Sequence, residues 1–457
     1  MAGIGFRLKK ILDKDTYFAS IKAYLYSALI SSGPWLITIV AIGIVGASQA
    51  GRISTQQSGL FRVTIVYVYT LTLITLGVVQ MPLTRYLADL LFSGNTKLFL
   101  PTYVGSLILL GCVQTVFVLP ACLYFSGWDL AYGLHVWIFY MSVSFTWVAM
   151  IFLSAARNYH AIVAAFFVGA LTSVLLGSLM GSTYGLNGYM TGYTLGRVLL
   201  LLILTARIVR EFPSDTAISY DFLRYLKRYV PLVIIGFFYN LSIWVDKMLF
   251  WFGPYGQRVD RFLFACSSYD LPMYLSYLTI VPSMAIFLIR TETSFVRYYQ
   301  AFYGAIVGKQ DFTAIRSLKE AMVDHIKLSL TSLLKIQGLV SALAFLAIPY
   351  LSRYLGLVLP NENTLRFGII GAFFHILLLI LSIYLLYFDF QKETLVLTAT
   401  YLVLNTGLTY VSQRLGEAYF GLGYCTACFA ALMLGVAILM YKLRRLEYIT
   451  FVQQPVQ

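Results

Sequence analysis

The chain has 457 residues, of which 60% are apolar and only 11% are charged, and its mean hydropathy is +0.79. This composition lies far outside the range of about 45 to 50% apolar residues that globular domains show, which excludes a soluble globular protein. The net charge of +14 alone would allow nucleic-acid binding, but most basic residues fall in alternate connections between apolar segments. That distribution follows the positive-inside rule. We therefore predict a membrane protein with both termini cytoplasmic and no nucleic-acid partner.

Apolar segments long enough to cross the roughly 30 Å of a bilayer's hydrocarbon, about 20 residues each, recur along nearly the whole chain. Their length and continuity favour helices over the short alternating strands of a membrane barrel. The sequence thus predicts an all-α polytopic membrane protein with twelve transmembrane helices. In chain order these are Phe18 to Ala47, Phe61 to Leu91, Phe99 to Phe125, Tyr132 to Ser154, Ala161 to Ser182, Asn187 to Ile208, Tyr229 to Phe252, Phe262 to Ile289, Leu330 to Tyr350, Phe367 to Phe388, Thr394 to Ser412 and Ala418 to Tyr441.

The two halves of the chain resemble each other weakly. YGLNGYMTGYTLGRVLLLLI, from Tyr184, opens the sixth predicted helix, and FGLGYCTACFAALMLGVAIL, from Phe420, opens the twelfth. We therefore predict two pseudo-symmetric six-helix bundles in parallel orientation. The predicted domains are a cytoplasmic amphipathic amino terminus (1–17), a first lobe (18–208), a cytoplasmic linker (209–228), a second lobe (229–441) with a cytoplasmic amphipathic insertion (290–329), and a cytoplasmic tail (442–457). The small residues Gly188, Gly192 and Gly196, spaced by four, predict close packing of the sixth helix.

Ionisable residues inside apolar helices indicate a transport pathway more often than a catalytic site in a chain of this type. The sequence has no glycine-rich phosphate-binding loop, and its four histidines are not at metal-ligand spacing, so we predict no catalytic residue, metal or cofactor. Two half-repeats with buried charges are typical of an alternating-access carrier. The candidate pathway residues are Arg85, Asp89 and Arg197 in the first half, and Tyr239, Asp246, Lys247, Asp270, Tyr274 and Tyr277 in the second.

The spacing of these residues suits a hydroxyl-rich ligand such as a sugar. Asp270, Tyr274 and Tyr277 share one helix face, which presents a carboxylate beside aromatic rings. The alternative is structural, because Arg85 and Asp89 are four residues apart and are able to neutralise each other, while tyrosines commonly mark membrane interfaces.

Prolines within the apolar segments predict bends. Pro34, after Gly33, removes a helix hydrogen bond, and Pro82 and Pro282 are placed similarly in the second and eighth helices; each is a hinge or a static kink. The insertion contains an amphipathic helix that begins near Asp311. Its docking candidates, for a partner protein or for the anionic lipid surface, are Phe312, Ile315, Arg316 and Lys319.

The opening MAGIGFRLKKIL and the segment AYLYSALISSGPWLITI, from Ala23, resemble the inner-membrane transporters of the Pel exopolysaccharide system. That group is similar to the multidrug, oligosaccharidyl-lipid and polysaccharide (MOP) exporter superfamily, which includes the MATE transporters. The residues that carry the resemblance are Gly3, Gly5, Phe6, Ser32, Gly33, Pro34 and Trp35.

The resemblance implies transport, without enzymatic activity, of a nascent N-acetylgalactosamine-rich polysaccharide across a bacterial cytoplasmic (inner) membrane for a biofilm matrix. It also implies, as partners, a cytosolic glycosyltransferase and companion inner-membrane proteins that include a cyclic-di-GMP receptor. Two other functions stay open from the residues alone. One is an ion-coupled carrier or flippase of small molecules or lipid-linked sugars, and the other is a membrane-embedded transferase or a non-transporting assembly scaffold.

Overall fold

The computed structural model describes residues 17–126, 129–156, 158–260, 262–354 and 361–453. The predicted amphipathic amino terminus, with Gly3, Gly5 and Phe6, lies outside these ranges. The helices are α1 (Tyr17–Ser48), α2 (Thr55–Phe92), α3 (Phe99–Ser126), α4 (Leu130–Ala155), α5 (Tyr159–Glu211), α6 (Phe222–Arg228), α7 (Val230–Phe252), α8 (Ser267–Leu278), α9 (Val281–Arg290), α10 (Val296–Val307), α11 (Phe312–Tyr354), α12 (Glu362–Tyr387), α13 (Gln391–Leu415), α14 (Leu422–Arg444) and α15 (Leu446–Tyr448). Strands β1 (Gln257–Arg258) and β2 (Phe264–Ala265) form an antiparallel hairpin.

Within the described residues, eleven helical stretches are long and apolar enough to cross a membrane. This confirms the predicted all-α polytopic membrane fold. One of the eleven, α5, has 53 residues. As a straight helix it would be about 80 Å long, far more than a bilayer needs.

α5 reverses direction at Gly185, whose φ of 60° and ψ of −138° are not helical. This φ lies in the left-handed region, which a residue without Cβ adopts readily. The two ends of α5 meet, since the Asn158 side chain donates to the Glu211 carboxylate over 2.7 Å. α5 therefore contains both the fifth and the sixth predicted helices as an antiparallel hairpin.

Small residues let the two arms of this hairpin touch. A Cβ on Gly192 would overlap the backbone of Leu176 and Gly177, and one on Gly196 would lie 2.5 Å from the Ser173 nitrogen. The Ser173 hydroxyl donates across the contact to the Tyr193 carbonyl at 3.1 Å. The close packing that the glycine spacing predicts is thus confirmed.

The described residues form two compact units. The amino-terminal unit comprises Gly33–Trp244 and Phe250–Cys266, and the carboxy-terminal unit comprises the described residues within Met1–Ser32, Val245–Leu249 and Ser267–Gln457. The division crosses α1 between Ser32 and Gly33 and α7 at Val245. Within the carboxy-terminal unit, the Ser27 hydroxyl of α1 donates to the Ala285 carbonyl of α9 at 2.7 Å. The predicted domain limits remain a prediction.

The proline residues differ in their helical context. α1 and α2 continue through Pro34 and Pro82, and the Thr38 hydroxyl donates to the Pro34 carbonyl at 2.8 Å. Pro282 instead stands in the first turn of α9, after a break that separates α8 from α9. The single eighth helix of the sequence prediction is therefore two helices, because proline fits a first turn, where no donor is needed.

Three further features of the second half differ from the sequence prediction. The amphipathic helix predicted to begin near Asp311 and the ninth predicted helix form one helix, α11. Phe264, within the predicted eighth helix, belongs to β2. A π-helical turn at Thr291–Phe295 joins α9 to α10.

We expect Gly192→Ala to destabilise the protein, because the added methyl group would force the two arms of α5 apart. Overpacking of this kind costs about 1–3 kcal/mol. Gly46→Ala in α1 is the matched control, since a Cβ added to Gly46 would have no other described atom within 4 Å and alanine favours a helix by roughly 0.5–1 kcal/mol over glycine. Thermal unfolding of the purified variants measures both effects. Equal midpoints for the two variants would contradict the packing described for α5.

Candidate functional site

The linker of the sequence prediction is held on the amino-terminal unit. Phe222, at the start of α6, is 1% exposed and packs in an apolar cluster with Tyr86 and Leu90 of α2. The Ser219 nitrogen donates to the Pro101 carbonyl at 3.0 Å. These contacts fix α6 against the end of α2.

A linker-end cluster of Arg85, Asp89, Tyr225 and Tyr229 results from this docking. The Tyr225 hydroxyl donates to Asp89 Oδ2 at 2.8 Å, and Arg85 Nε lies 3.7 Å from Asp89 Oδ1. The Arg85 guanidinium lies 5.6 Å from the centre of the Tyr229 ring, and the two tyrosine rings are 5.5 Å apart. The side chains of Arg85 and Asp89 are 42% and 44% exposed, so they remain accessible.

This cluster combines groups that bind sugars. A carboxylate accepts hydrogen bonds from hydroxyl groups, a guanidinium donates them, and aromatic faces offer apolar contact area. Burial, and then the hydrogen bond to the Asp89 carboxylate, raise the pKa of Tyr225 to about 12. Tyr225 therefore stays a hydrogen-bond donor at neutral pH.

A second group of polar side chains lies inside the carboxy-terminal unit. Asp246 in α7 is fully buried, and Lys247 is 8% exposed. The Lys247 ammonium lies 3.2 Å from Asp246 Oδ1 and 3.1 Å from Oδ2, and the Tyr269 hydroxyl donates to Oδ2 at 2.7 Å. This is the most buried ion pair among the described residues. Opposite charges stabilise each other at low dielectric, so each of these two buried charges depends on the presence of the other.

The buried charge network, defined by Asp246, Lys247, Tyr269, Tyr277, His375, Tyr401, Tyr424 and Cys428, extends from this pair through four more helices. The Lys247 ammonium lies 4.9 Å from the centre of the Tyr277 ring, which meets the His375 ring edge-on at 5.9 Å. His375 Nδ1 lies 3.1 Å from the Tyr401 hydroxyl.

The last members of the network come from α14. The Tyr424 ring stacks on the His375 ring at 6.0 Å, and Cys428 Sγ lies 3.5 Å from the Tyr401 hydroxyl. Polar groups of α7, α8, α12, α13 and α14 thus meet inside one unit. Such intramembrane polar networks are uncommon and are typical of ion or substrate paths.

The remaining predicted pathway residues occupy three different places. Asp270 and Tyr274 lie on α8 and are partly exposed, as is Tyr277 of the network, while Tyr269, next to Asp270, makes the bond to Asp246. Tyr239 is partly exposed on the part of α7 that belongs to the amino-terminal unit. Arg197 is 2% exposed in the second arm of α5. Their roles as pathway residues remain predictions.

The docking candidates on α11 are divided by their burial. Ile315 is 4% exposed, and the Lys319 ammonium lies 3.3 Å from the Glu447 carboxylate of α15. Phe312 is 58% exposed, and the Arg316 side chain, paired with Glu320, is 63% exposed. Of the four candidates, Phe312 and Arg316 thus remain accessible for docking.

Several members of the linker-end cluster and of the buried charge network are not predicted from the sequence. Tyr225 lies in the linker, 136 positions from Asp89, and nothing in the sequence joins the two. Tyr269, Tyr401 and Tyr424 do not stand out, because the chain has 35 tyrosines. The signal for His375 is its place inside an apolar helix, where a histidine is unusual enough to mark a polar contact.

A family model described as "Putative exopolysaccharide Exporter (EPS-E)", named PelG, matches residues 1–451. No curated protein sequence matches the chain.

Solved structures similar to this chain are transporters of the predicted superfamily. An outward-facing multidrug resistance MATE family transporter of the MOP superfamily has a TM-score of 0.67 at 14% identity, over 92% of this chain and 96% of that chain. A MOP superfamily transporter from Pyrococcus furiosus has a TM-score of 0.63 at 14% identity, over 92% and 95%. A mutant of the MATE transporter VcmN from Vibrio cholerae has a TM-score of 0.62 at 13% identity, over 96% and 98%. These likenesses confirm the predicted fold.

We expect Asp246→Asn and Lys247→Met each to lower the free energy of unfolding by about 3–5 kcal/mol, because each removes one member of a buried ion pair. The double variant should lose much less than the sum, which a double-mutant cycle of unfolding free energies measures. Glu362 and Arg366, 3.4 Å apart and 44% exposed, form the control pair. Substitutions there should cost less than about 1 kcal/mol. Additive losses at Asp246 and Lys247 would show that the pair does not act as a unit.

Proposed function

The chain belongs to the PelG family, and we propose that it exports a nascent exopolysaccharide across the cytoplasmic membrane of a bacterium. The observation that carries this proposal is the family match over residues 1–451, together with a fold shared with transporters. The polymer we propose is the N-acetylgalactosamine-rich Pel polysaccharide of a biofilm matrix. It would pass outward from the cytoplasm, where both termini of the chain would lie.

The partners we propose are a cytosolic glycosyltransferase that delivers the chain and companion inner-membrane proteins that include a cyclic-di-GMP receptor. The exposed Phe312 and Arg316 of α11 offer an apolar and a basic contact on the predicted cytoplasmic side. The lipid surface is the competing occupant for this helix.

The linker-end cluster supports the proposal by its chemistry. It lies on the predicted cytoplasmic side, where the linker follows the sixth predicted helix, and its charged side chains are half exposed. We assign to it the first contact with the sugar units of the polymer. Tyr229 would give its ring face, and Asp89 would accept from sugar hydroxyls.

The buried charge network favours a second candidate function, an ion-coupled carrier or flippase of small molecules or lipid-linked sugars. A carboxylate held by an ammonium and a phenol, as Asp246 is by Lys247 and Tyr269, is a group whose charge state would alter its surroundings strongly. A gradient-driven exporter of polysaccharide would use the same network, so the network does not distinguish the two functions. The location of the polymer does distinguish them.

Cells that lack this protein but keep the synthase and its membrane partners should make the polymer and retain it in the cytoplasm. Labelled polymer, quantified inside and outside the cells, measures this, and the intact protein should restore outward passage. If polymer crosses normally without the protein, export is the wrong function and the small-molecule carrier replaces it. If no polymer is made, an assembly or synthetic role is indicated.

We expect Tyr229→Ala to lower polymer export roughly tenfold, since the loss of one aromatic contact of about 1.4 kcal/mol changes affinity by that factor. Asp89→Asn should lower export in the same direction, because it removes the negative acceptor while preserving shape. Export per cell, at matched amounts of protein in the membrane, is the measurement. Arg224→Ala is the control, because the Arg224 side chain on α6 is 86% exposed and pairs with Asp221. Equal export by all three variants would remove the cluster from the pathway.

A further inference from the structure

Arg197 is a buried cation in the interior of the amino-terminal unit. It lies in the second arm of α5 and is 2% exposed. Its Nη2 donates to the Tyr193 hydroxyl at 2.7 Å, and its Nη1 donates to Thr38 Oγ1 at 3.2 Å. The guanidinium carbon also lies 4.9 Å from the centre of the Tyr193 ring. Hydroxyls and a ring face hold this arginine, and neither carries a negative charge.

The described carboxylates of the amino-terminal unit do not neutralise Arg197. They stand near helix ends or in connections, namely Asp89, Asp129, Glu211, Asp215, Asp221 and Asp260. Four of them have partners of their own, since Asp89 bonds Tyr225, Asp129 bonds Asn187, Glu211 pairs with Arg207 and Asp221 pairs with Arg224. Among the described residues, Arg197 forms no ion pair.

Not all donors of the guanidinium are used, since it carries five N–H groups and the bonds to Thr38 and Tyr193 engage two of them. Arg197 Nε is buried and has no hydrogen-bond partner within the described part of the chain. A buried donor without an acceptor is unfavourable, and a buried positive charge without a counter-charge is much more so. An arginine is not deprotonated in proteins, so it does not escape this penalty by losing its charge.

The two hydroxyls hold the guanidinium in place. Thr38 uses its own hydrogen to donate to the Pro34 carbonyl at 2.8 Å, so its oxygen faces Arg197 as an acceptor. Tyr193 likewise accepts from Nη2. Each Nη atom makes one bond and keeps a second N–H, whereas Nε makes none, so the edge of the guanidinium that carries Nε is the one most open to an acceptor. Carboxylates, phosphates and halides are the groups that accept from this edge.

We propose that the amino-terminal unit binds one anionic group at Arg197, with Nε as a donor atom that the protein leaves open. The shared chemistry is a negative charge that accepts a hydrogen bond, carried by a free ion such as chloride, acetate or phosphate, or by a lipid phosphate. The site is separate from the linker-end cluster, and the neutral polymer of the proposed function does not supply the anion. Binding would neutralise Arg197 and stabilise its link, through Thr38, to the proline turn of α1.

The test uses the purified full chain in an uncharged detergent, at constant ionic strength, with gluconate as the reference because it is a bulkier anion than chloride, acetate or phosphate. Chloride, acetate and phosphate are titrated separately, and the unfolding midpoint is followed by intrinsic fluorescence. We expect at least one of them to raise the midpoint saturably by about 2 °C or more, as a ligand of the native state does. A parallel titration with phosphatidylglycerol distinguishes a lipid phosphate from a free ion, and a response to either source supports the site.

Arg197→Gln should abolish the saturable response. Arg207→Gln is the matched control, because Arg207 lies on the same arm of α5 but pairs with Glu211 at 3.3 Å, and it should keep the wild-type response. If Arg197→Gln does not fold, Arg197→Lys keeps the charge without the Nε donor and should raise the half-saturating concentration at least tenfold. A wild-type midpoint that is flat in every titration overturns the proposal, and so does an unchanged response in the folded Arg197 variant. The readout is independent of polymer export, so this result stands apart from the proposed function.

Discussion

The structure depends on how polar groups are satisfied among helices that are almost entirely apolar. In such surroundings an unpaired polar group is costly, so each must find a partner within the protein. Most hydroxyl groups in the helices form a hydrogen bond to a carbonyl of their own helix. Thr70, Thr84 and Thr398, for example, each donate to the carbonyl four residues earlier, at 2.7, 2.7 and 2.9 Å. These residues need no neighbouring helix, and they place little constraint on packing or function.

The side chains that cannot bond to their own turn are the ones that define the sites. Asp246 and Lys247 are satisfied by each other and by Tyr269 of a different helix. Arg197 is held by hydroxyls, but its Nε makes no hydrogen bond to the described residues. Asp89 lies near the end of α2, where half exposure reduces the penalty for its charge. The degree of burial therefore separates the half-exposed charges of the linker-end cluster from the charges held inside each unit.

Close backbone contact provides the rigidity that these polar contacts require. α2 and the first part of α7 meet at glycines within the amino-terminal unit, since a Cβ on Gly236 would overlap the Gly77 carbonyl oxygen. Val245–Leu249, which includes the charge pair, belongs to the carboxy-terminal unit. α1 changes unit at Gly33, immediately before Pro34. α1 therefore crosses the division at Gly33, beside Pro34, and α7 crosses it at Val245, beside Asp246. The sequence singles out Gly33, Pro34 and Asp246.

The sequence was sufficient for the fold class and most membrane spans, because span length and apolar continuity are local properties, but it missed the break between α8 and α9. It also predicted the packing of Gly192 and the proximity of Arg85 to Asp89, which are set by helical spacing. It failed where an interaction joins distant segments: Tyr225 reaches Asp89 from the linker, and His375 meets Tyr401 from another helix.

Sequence alone also does not separate Asp270 from Asp246, because burial is a property of the packed structure. What makes Asp246 distinct is that it is fully buried and pairs with Lys247, so loss of either side chain would break a buried ion pair. Asp89, by contrast, is half exposed, so its surroundings screen its charge and it depends less on Arg85 than Asp246 does on Lys247.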